Sequence, residues 1–577
     1  NFIKKQYIMK KKSIYLLFLL SILTVGCENV LDKDKLDGIS PDEVWNSEAL
    51  ADAYMNNIYA KVMPGWPDGS GSECDEAASD SLNMPDLLRG TATIDLKDIW
   101  PYDQIRNVNK LLEEIEGGTC SDNFKKRLKA QALFFRGWMY FNMVKSYGGV
   151  PLMLKTLSAA DYEEAFIPRN KTSECIEQII KDLDNAASLI GDEKWDDKNT
   201  GRIDKGAILA FKGRVLLFWA SPLFNPQSDK KRWENAYDAN KEALEYLTVQ
   251  GKGLYPTFGD IWTVDGNCEI IMSRRYSAPD AKFAQHGIRP ILYSKDMWGT
   301  DHPTLNLVNA FPMKDGSEYN SQRDSYAQLY KERDDRFYAT IAYNGAEPYL
   351  KDMKDLNTRM WTYKLSNGRY ADSPSSGDGM TSRAGFYRVK GLDPDITQST
   401  VYDADVDWIE IRFAEVLMNM GEAANRIGKS DVALDVLKQI RKRANITPGV
   451  DNNYGIKATS EDEIAEAYFN ERFVEFAFEG KRLDDLRRLR KFDYLRKLER
   501  RKGLILNLLQ GKQAPTGMDN PDDFIDSFDP QVVNVDVETI KVKDSYYFYA
   551  IPKKHLDQNS KLEQNVGWNN GAFDPLE

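Results

Sequence analysis

The strongest charged constellation in the chain is residues 469–490, FNERFVEFAFEGKRLDDLRRLR. Glu471, Glu475 and Glu479 recur every fourth residue, which places them on one face of a helix. Like charges at that spacing repel. Arg472 stands three residues before Glu475 and Arg482 three after Glu479. Asp485 meets Arg482 and Arg488 at the same spacing. A glycosidase also shows two neighbouring acids, but one of them must hold a proton. A guanidinium beside a carboxylate keeps it ionised. The run is therefore expected to be a structural ladder, and the chain is not expected to be an enzyme.

Other chemical patterns fail on spacing. Gly428-Lys429-Ser430 resembles the end of a phosphate-binding loop, but the glycine needed five residues earlier is Ala423. Asp403, Asp405 and Asp407 alternate like the start of a calcium loop. Its sixth and twelfth positions would be Trp408 and Ala414, where a glycine and a bidentate glutamate are required. There is no HExxH and no GxSxG, and only 3 histidines. Cys74, Cys120, Cys175 and Cys268 are widely spaced, with no CxxC. No metal site and no cofactor are expected.

The elements that must carry these residues are mainly helical. Residues 124–147 form one long amphipathic pattern, closed by Gly148-Gly149 with Pro151 beyond. Residues 172–190, 205–220 and 233–247 follow. A second block holds 408–427, 431–444 and 464–478, the last opened by a capping box of Ser460 and Glu463. Gly421, Ala424, Gly428 and Ala433 stand where tetratricopeptide hairpins put small residues. Trp233, Ala236, Ala239 and Ala243 read as the second helix of another such hairpin. Between about 251 and 401 the texture becomes irregular, and 373–382, SPSSGDGMTS, is a loop by composition. The tail from about 511 is loop-rich, with one strand-like run at 546–551. The expected fold is mostly α, a tetratricopeptide-like helical-repeat scaffold with long irregular loop-rich insertions and little β.

The 577 residues are 42% hydrophobic and 29% charged, ordinary globular values with a net charge of −12, so a nucleic-acid binder is not indicated. Residues 9–27, MKKKSIYLLFLLSILTVGC, read as an export signal starting at Met9. The apolar run is too short to span a bilayer. Gly26-Cys27 ends it as in a bacterial lipoprotein, with Cys27 the expected lipidation site; Thr24 is a loose match to the branched residue usual there. A plain secretion signal is the alternative. Removing residues 1–26 takes five lysines and no acid, so the net charge moves from −12 to −17. The expected divisions are 1–26 signal peptide, 27–45 lipidated linker, 46–250 helical domain, 251–400 loop-rich insertion carrying part of the ligand site, and 401–577 C-terminal domain.

The 12 tryptophans exceed what a core usually needs. Trp138, Trp219, Trp233 and Trp408 lie in periodic runs and are expected in the core. Trp66, Trp100, Trp298 and Trp361 lie in loop-like contexts and are candidates to touch a ligand.

Six blocks, in order, resemble the SusD/RagB family of nutrient-uptake outer-membrane lipoproteins. They are 129–152 (KAQALFFRGWMYFNMVKSYGGVPL), 201–217 (GRIDKGAILAFKGRVLL), 303–316 (PTLNLVNAFPMKDG), 411–444 (with RFAEVLMNMGEAANRIG), 471–488 (ERFVEFAFEGKRLDDLRR) and 551–568 (IPKKHLDQNSKLEQNVGW). Gly137 stands where alanine is common, and Leu483 where an aromatic is. The resemblance implies four tetratricopeptide-like helical pairs beside a more irregular half. It implies a lipid-anchored, cell-surface protein that sits as a lid on a SusC-like TonB-dependent outer-membrane transporter and captures an oligosaccharide or polysaccharide. It also implies a ligand platform from residues 80–106, holding Asp80, Arg89, Trp100 and Tyr102, and from residues 293–301, holding Tyr293 and Trp298. A peptide or other nutrient binder on the same scaffold, a protein-binding scaffold and a glycoside hydrolase are the rival readings.

Overall fold

The computed structural model describes residues 41–67, 70–79, 84–157, 164, 166–295, 301–320, 325–373 and 381–577. Ten described α-helices have seven or more residues: α1 Glu48–Val62, α2 Tyr102–Glu114, α3 Asp122–Tyr147, α4 Thr172–Ile190, α5 Lys205–Ala220, α6 Lys230–Val249, α7 Phe413–Arg426, α8 Ser430–Arg443, α9 Glu461–Glu475 and α10 Arg482–Arg488. None is long and apolar enough to cross a membrane. The helices pack in sequence, α3 on α4, α5 on α6 and α7 on α8, with α7 also against α6 and α9.

Each contact is built from residue size and polarity. From Leu128 onward α3 buries almost its whole circumference, so it is the central helix of the first block. It stops at Gly148, whose φ of +80° suits glycine, and a Cβ there would lie 2.5 Å from Pro575. Gly213 lets α5 approach α6, where a Cβ would sit 2.3 Å from Asn240 Oδ1. Gly421 lets α7 approach both α8 and α9, where a Cβ would sit 1.9 Å from the Tyr468 hydroxyl.

Two element boundaries differ from the sequence reading. Residues 408–412 begin no helix. They form β2, Trp408–Arg412, antiparallel to β1, Ile270–Arg274. Trp408, Ile409 and Ile411 are buried there, because the apolar residues serve a sheet rather than a helical stripe. Helix α9 ends at Glu475, not at 478, and Phe478 takes a φ of +61°. The tail also differs. Residues 546–551 are not a strand; Tyr546 to Ile551 fill the main core. The strands of the tail are β4, Lys502–Leu508, and β5, Phe528–Asn534, an antiparallel pair, with β3, Tyr363–Lys364, parallel on the other edge of β4. The main core runs from Trp45 to Trp568 and unites both helical blocks, while three smaller clusters hold the irregular half.

Candidate functional site

Since α9 stops early, Glu479 leaves its face, and the charged run finds partners across the fold. Glu475 meets Arg412 at 2.7 Å, Arg336 at 3.1 Å, and Arg443. Glu479 meets Arg412 at 2.8 Å and Lys390 at 2.5 Å. Glu471 meets Arg336 and Arg441, each at 2.8 Å. Arg472 does not serve Glu475 but Asp485, at 2.8 Å, and Arg482 does not serve Glu479 but Asp75, at 2.8 Å. Of the expected pairs, Asp485 with Arg488 is present at 2.8 Å. Burial alone would raise these carboxyls. Arg443, Arg412 and Arg336 outweigh it at Glu475, and Arg441 and Arg336 at Glu471, so both lie below the ordinary range. A carboxyl held ionised in this way cannot serve as a general acid.

A cavity of about 400 Å³ opens between α3, α5, the segment 62–67 and the turn 479–485. Trp138, Phe141 and Trp408 give it apolar walls, and Arg214, Glu410 and Lys481 a polar floor. Arg214 pairs with Glu410 and Glu415, each at 2.6 Å. Burial raises the Glu415 carboxyl, but Arg214 and Lys481 bring it down to about 2.

The two segments assigned to the ligand platform meet at their roots. Ala77 and Ala78 pair antiparallel with Pro303 and His302. A third loop roots at the same place. The Asp372 carboxylate accepts the Thr381 hydroxyl at 2.7 Å and the Tyr387 hydroxyl at 2.6 Å, joining the residues on either side of 374–380. Tyr387 sets its ring edge-on to His302 at 5.6 Å. Arg388 donates to Asp301 at 2.7 Å. Burial, and then Arg383, push the His302 imidazole down to about 3, so it is neutral at physiological pH. Burial pushes the Glu76 carboxyl up to about 7, where it accepts the Phe478 N–H at 2.8 Å. A buried polar cluster thus joins described residues that flank 80–83, 296–300 and 374–380 in the chain.

The sequence-assigned residues are spread over several environments. Asp80 and Trp298 lie outside the described residues, as does Cys27. Trp100 and Tyr102 come together, with ring centres 5.0 Å apart. Trp100 is half-buried and stacks on His555 at 4.8 Å. The Tyr102 hydroxyl donates to the Pro151 carbonyl at 2.6 Å. Arg89 is partly exposed and pairs with Asp86 at 2.7 Å. The other three are core residues. Trp66 stacks on Phe283 at 5.3 Å and donates its N–H to the Val406 carbonyl. Trp361 donates to the Gly517 carbonyl and is 8% exposed. Tyr293 is 5% exposed, beside Ile291 and Tyr387. The loop-like composition around Trp66 and Trp361 misleads, as does the resemblance at Tyr293, because the irregular half builds small cores of its own. Sequence reasoning missed the clamp of Asp301, His302, Asp372, Tyr387 and Arg388. Its members lie far apart in the chain, and no local spacing marks them.

The comparisons with known proteins converge. The SusD family profile matches residues 268–568. A second family, described as starch-binding associating with outer membrane, matches residues 32–217. The SusD-like protein P38 of Formosa agariphila is 23% identical over 526 residues, covering 84% of this chain and 92% of that protein. A SusD-like protein from Bacteroides fragilis has a similar structure, with a TM-score of 0.75 at 24% identity, covering 93% of this chain and all of that one. A SusD-like carbohydrate binding protein from the same organism gives 0.70 at 20% identity, covering 90% of this chain and 99% of that one. With more than half of its length matched by the family profile and its helical scaffold shared with these structures, this chain belongs to the SusD family.

Proposed function

We propose that this protein captures a glycan at the cell surface and delivers it to a SusC-like TonB-dependent transporter in the outer membrane, held there by a lipid on Cys27. The observation that carries this reading is membership of the SusD family across residues 268–568. The outer-membrane association in the second family's description and the carbohydrate binding of one structural relative support it. A binding role without catalysis agrees with the pairing of Glu471, Glu475, Glu479 and Asp485 to cations. On this reading the candidate ligand contacts are Asp80, Arg89, Trp100, Tyr102 and Trp298, in and beside the loops whose roots the buried cluster joins. Sugars stack their apolar ring faces on aromatic planes, and a few charged groups orient the hydroxyls.

Calorimetric titration of the chain from Glu28 onward with laminarin, soluble starch, xylan and pectin tests the proposal. At least one glycan is expected to bind, and Trp298→Ala to weaken it about tenfold or more. Binding of peptides but of no glycan would replace the ligand class. Release of reducing ends during incubation would reinstate the hydrolase reading.

A further inference from the structure

Among the described residues, Tyr338 is the one aromatic side chain in the exposed class, at 41%. Every other described Trp, Tyr and Phe is half-buried or buried. An exposed tyrosine is ordinary when it is free to rotate, but this one is pinned. Its hydroxyl donates to the Tyr330 carbonyl at 3.1 Å and accepts the Arg333 N–H at 3.3 Å. Its ring leans on Phe337 at 5.2 Å and lies 6.3 Å from Tyr343. Tyr343 in turn stacks on Tyr330 at 4.6 Å with planes 18° apart. The three tyrosines form a ledge whose outermost ring is fixed in orientation and open to solvent.

The rim of the ledge is polar and carries two acids and one cation. Glu332 lies beside Tyr338, and Glu347 and Arg359 beside Tyr343, with Arg359 paired to Glu347 at 2.5 Å. Burial raises the hydroxyls of Tyr330, Tyr338 and Tyr343 above the ordinary range, so they stay protonated and uncharged. A rigid aromatic face with a polar, slightly acidic rim suits a neutral polyhydroxylated ring and gives no advantage to an anion. The ledge is also tied to the loop roots. Tyr343 directly follows Ile341 and Ala342, which pair with Arg388 and Tyr387 of the clamp.

We propose that the Tyr330–Tyr338–Tyr343 ledge is a second glycan contact, taking one neutral sugar ring against the open face of Tyr338. This rests on the glycan reading above. A polymer long enough to touch both places would gain avidity, whereas a short oligosaccharide held at the candidate contacts alone would not.

The test is titration of wild type, Tyr338→Ala and Tyr338→Phe with laminarin, soluble starch and xylan, and with a tetrasaccharide of whichever polymer binds. Tyr338→Ala is expected to weaken polymer binding about three- to tenfold and to leave the tetrasaccharide within about twofold. Tyr338→Phe keeps the ring and loses the hydroxyl bonds, so it is expected to retain polymer affinity. Equal polymer affinity in wild type and Tyr338→Ala would overturn the ledge alone. Equal losses in the Phe and Ala variants would do so too, since the hydroxyl would then matter only for structure. Wild type that binds none of the glycans would sink both proposals. Hydrogen exchange of wild-type residues 335–343 with and without the bound polymer reads the same contact without a variant. Slower exchange is expected, and unchanged exchange counts against the ledge.

Discussion

Glu475 has no water to fall back on, because its carboxylate is buried among Arg336, Arg412 and Arg443. Removing its charge leaves three guanidinium groups short of a partner, which costs far more than the pair gains relative to an apolar core. Glu475→Gln is expected to lower stability by about 3–5 kcal/mol in urea titration, with the midpoint moving and the slope kept. Glu76 behaves oppositely. Burial, with Asp301 and Asp75 nearby, holds its proton up to about pH 7 against an ordinary value of 4.5. The native state therefore binds that proton more tightly than the unfolded chain does. Its stabilising contribution is full at low pH and is lost as pH rises from about 4.5 to 7. The loss is roughly 3 kcal/mol by pH 8. Glu76→Gln keeps an acceptor for Phe478 and removes the titration. The stability difference between variant and wild type is expected to move in favour of the variant between pH 5 and pH 8, and a difference independent of pH would refute the assignment.

Helix contacts in this protein depend on positions with no side chain. At Gly421 the space a Cβ would need is taken by the Tyr468 hydroxyl and, at 3.0 Å, by Val436. Gly421→Ala is thus overpacked despite its better helix propensity, and about 1–3 kcal/mol of destabilisation is expected. The Tyr468 hydroxyl donates to the Ala433 carbonyl at 2.8 Å, so Tyr468→Phe alone also costs stability. In the double variant the nearest clashing atom is gone, leaving the Tyr468 ring carbon Cζ at 2.9 Å and Val436 at 3.0 Å to give way. Its cost is expected to be less than the sum of the single costs, which a double-mutant cycle in denaturant would measure.

Across the whole molecule, the ends of the chain are locked together. Arg482 reaches Asp75, and Arg501 donates to the Ala77 carbonyl while pairing with Asp536. Arg169 donates to the Glu563 carbonyl at 2.9 Å. Residues 401–577 separated from 46–250 would expose half of the main core and leave Arg482 buried without an acid. Such a fragment is expected to show no cooperative melting transition, whereas the chain from Glu28 melts cooperatively. A sharp transition in the fragment would show that its part of the core suffices.

Much of this architecture was legible in the chain itself. A 3.6-residue apolar period is local, so α3 to α6 and α8 could be placed within a few residues. The family resemblance carried by six blocks in order was legible as well. The pairing of Arg412 with Glu475, or of Arg482 with Asp75, was not. Glu475, Glu479 and Asp485 each had a plausible cation three residues away, and only the fold shows that burial and geometry choose partners far along the chain for the two glutamates instead. Composition likewise put Trp66 and Trp361 at a binding surface, and the resemblance put Tyr293 there, while the tertiary structure spends all three on small cores. It alone brings Ala77, His302, Asp372 and Tyr387 together, because a two-residue ladder and a buried carboxylate carry no signature in the sequence of either strand.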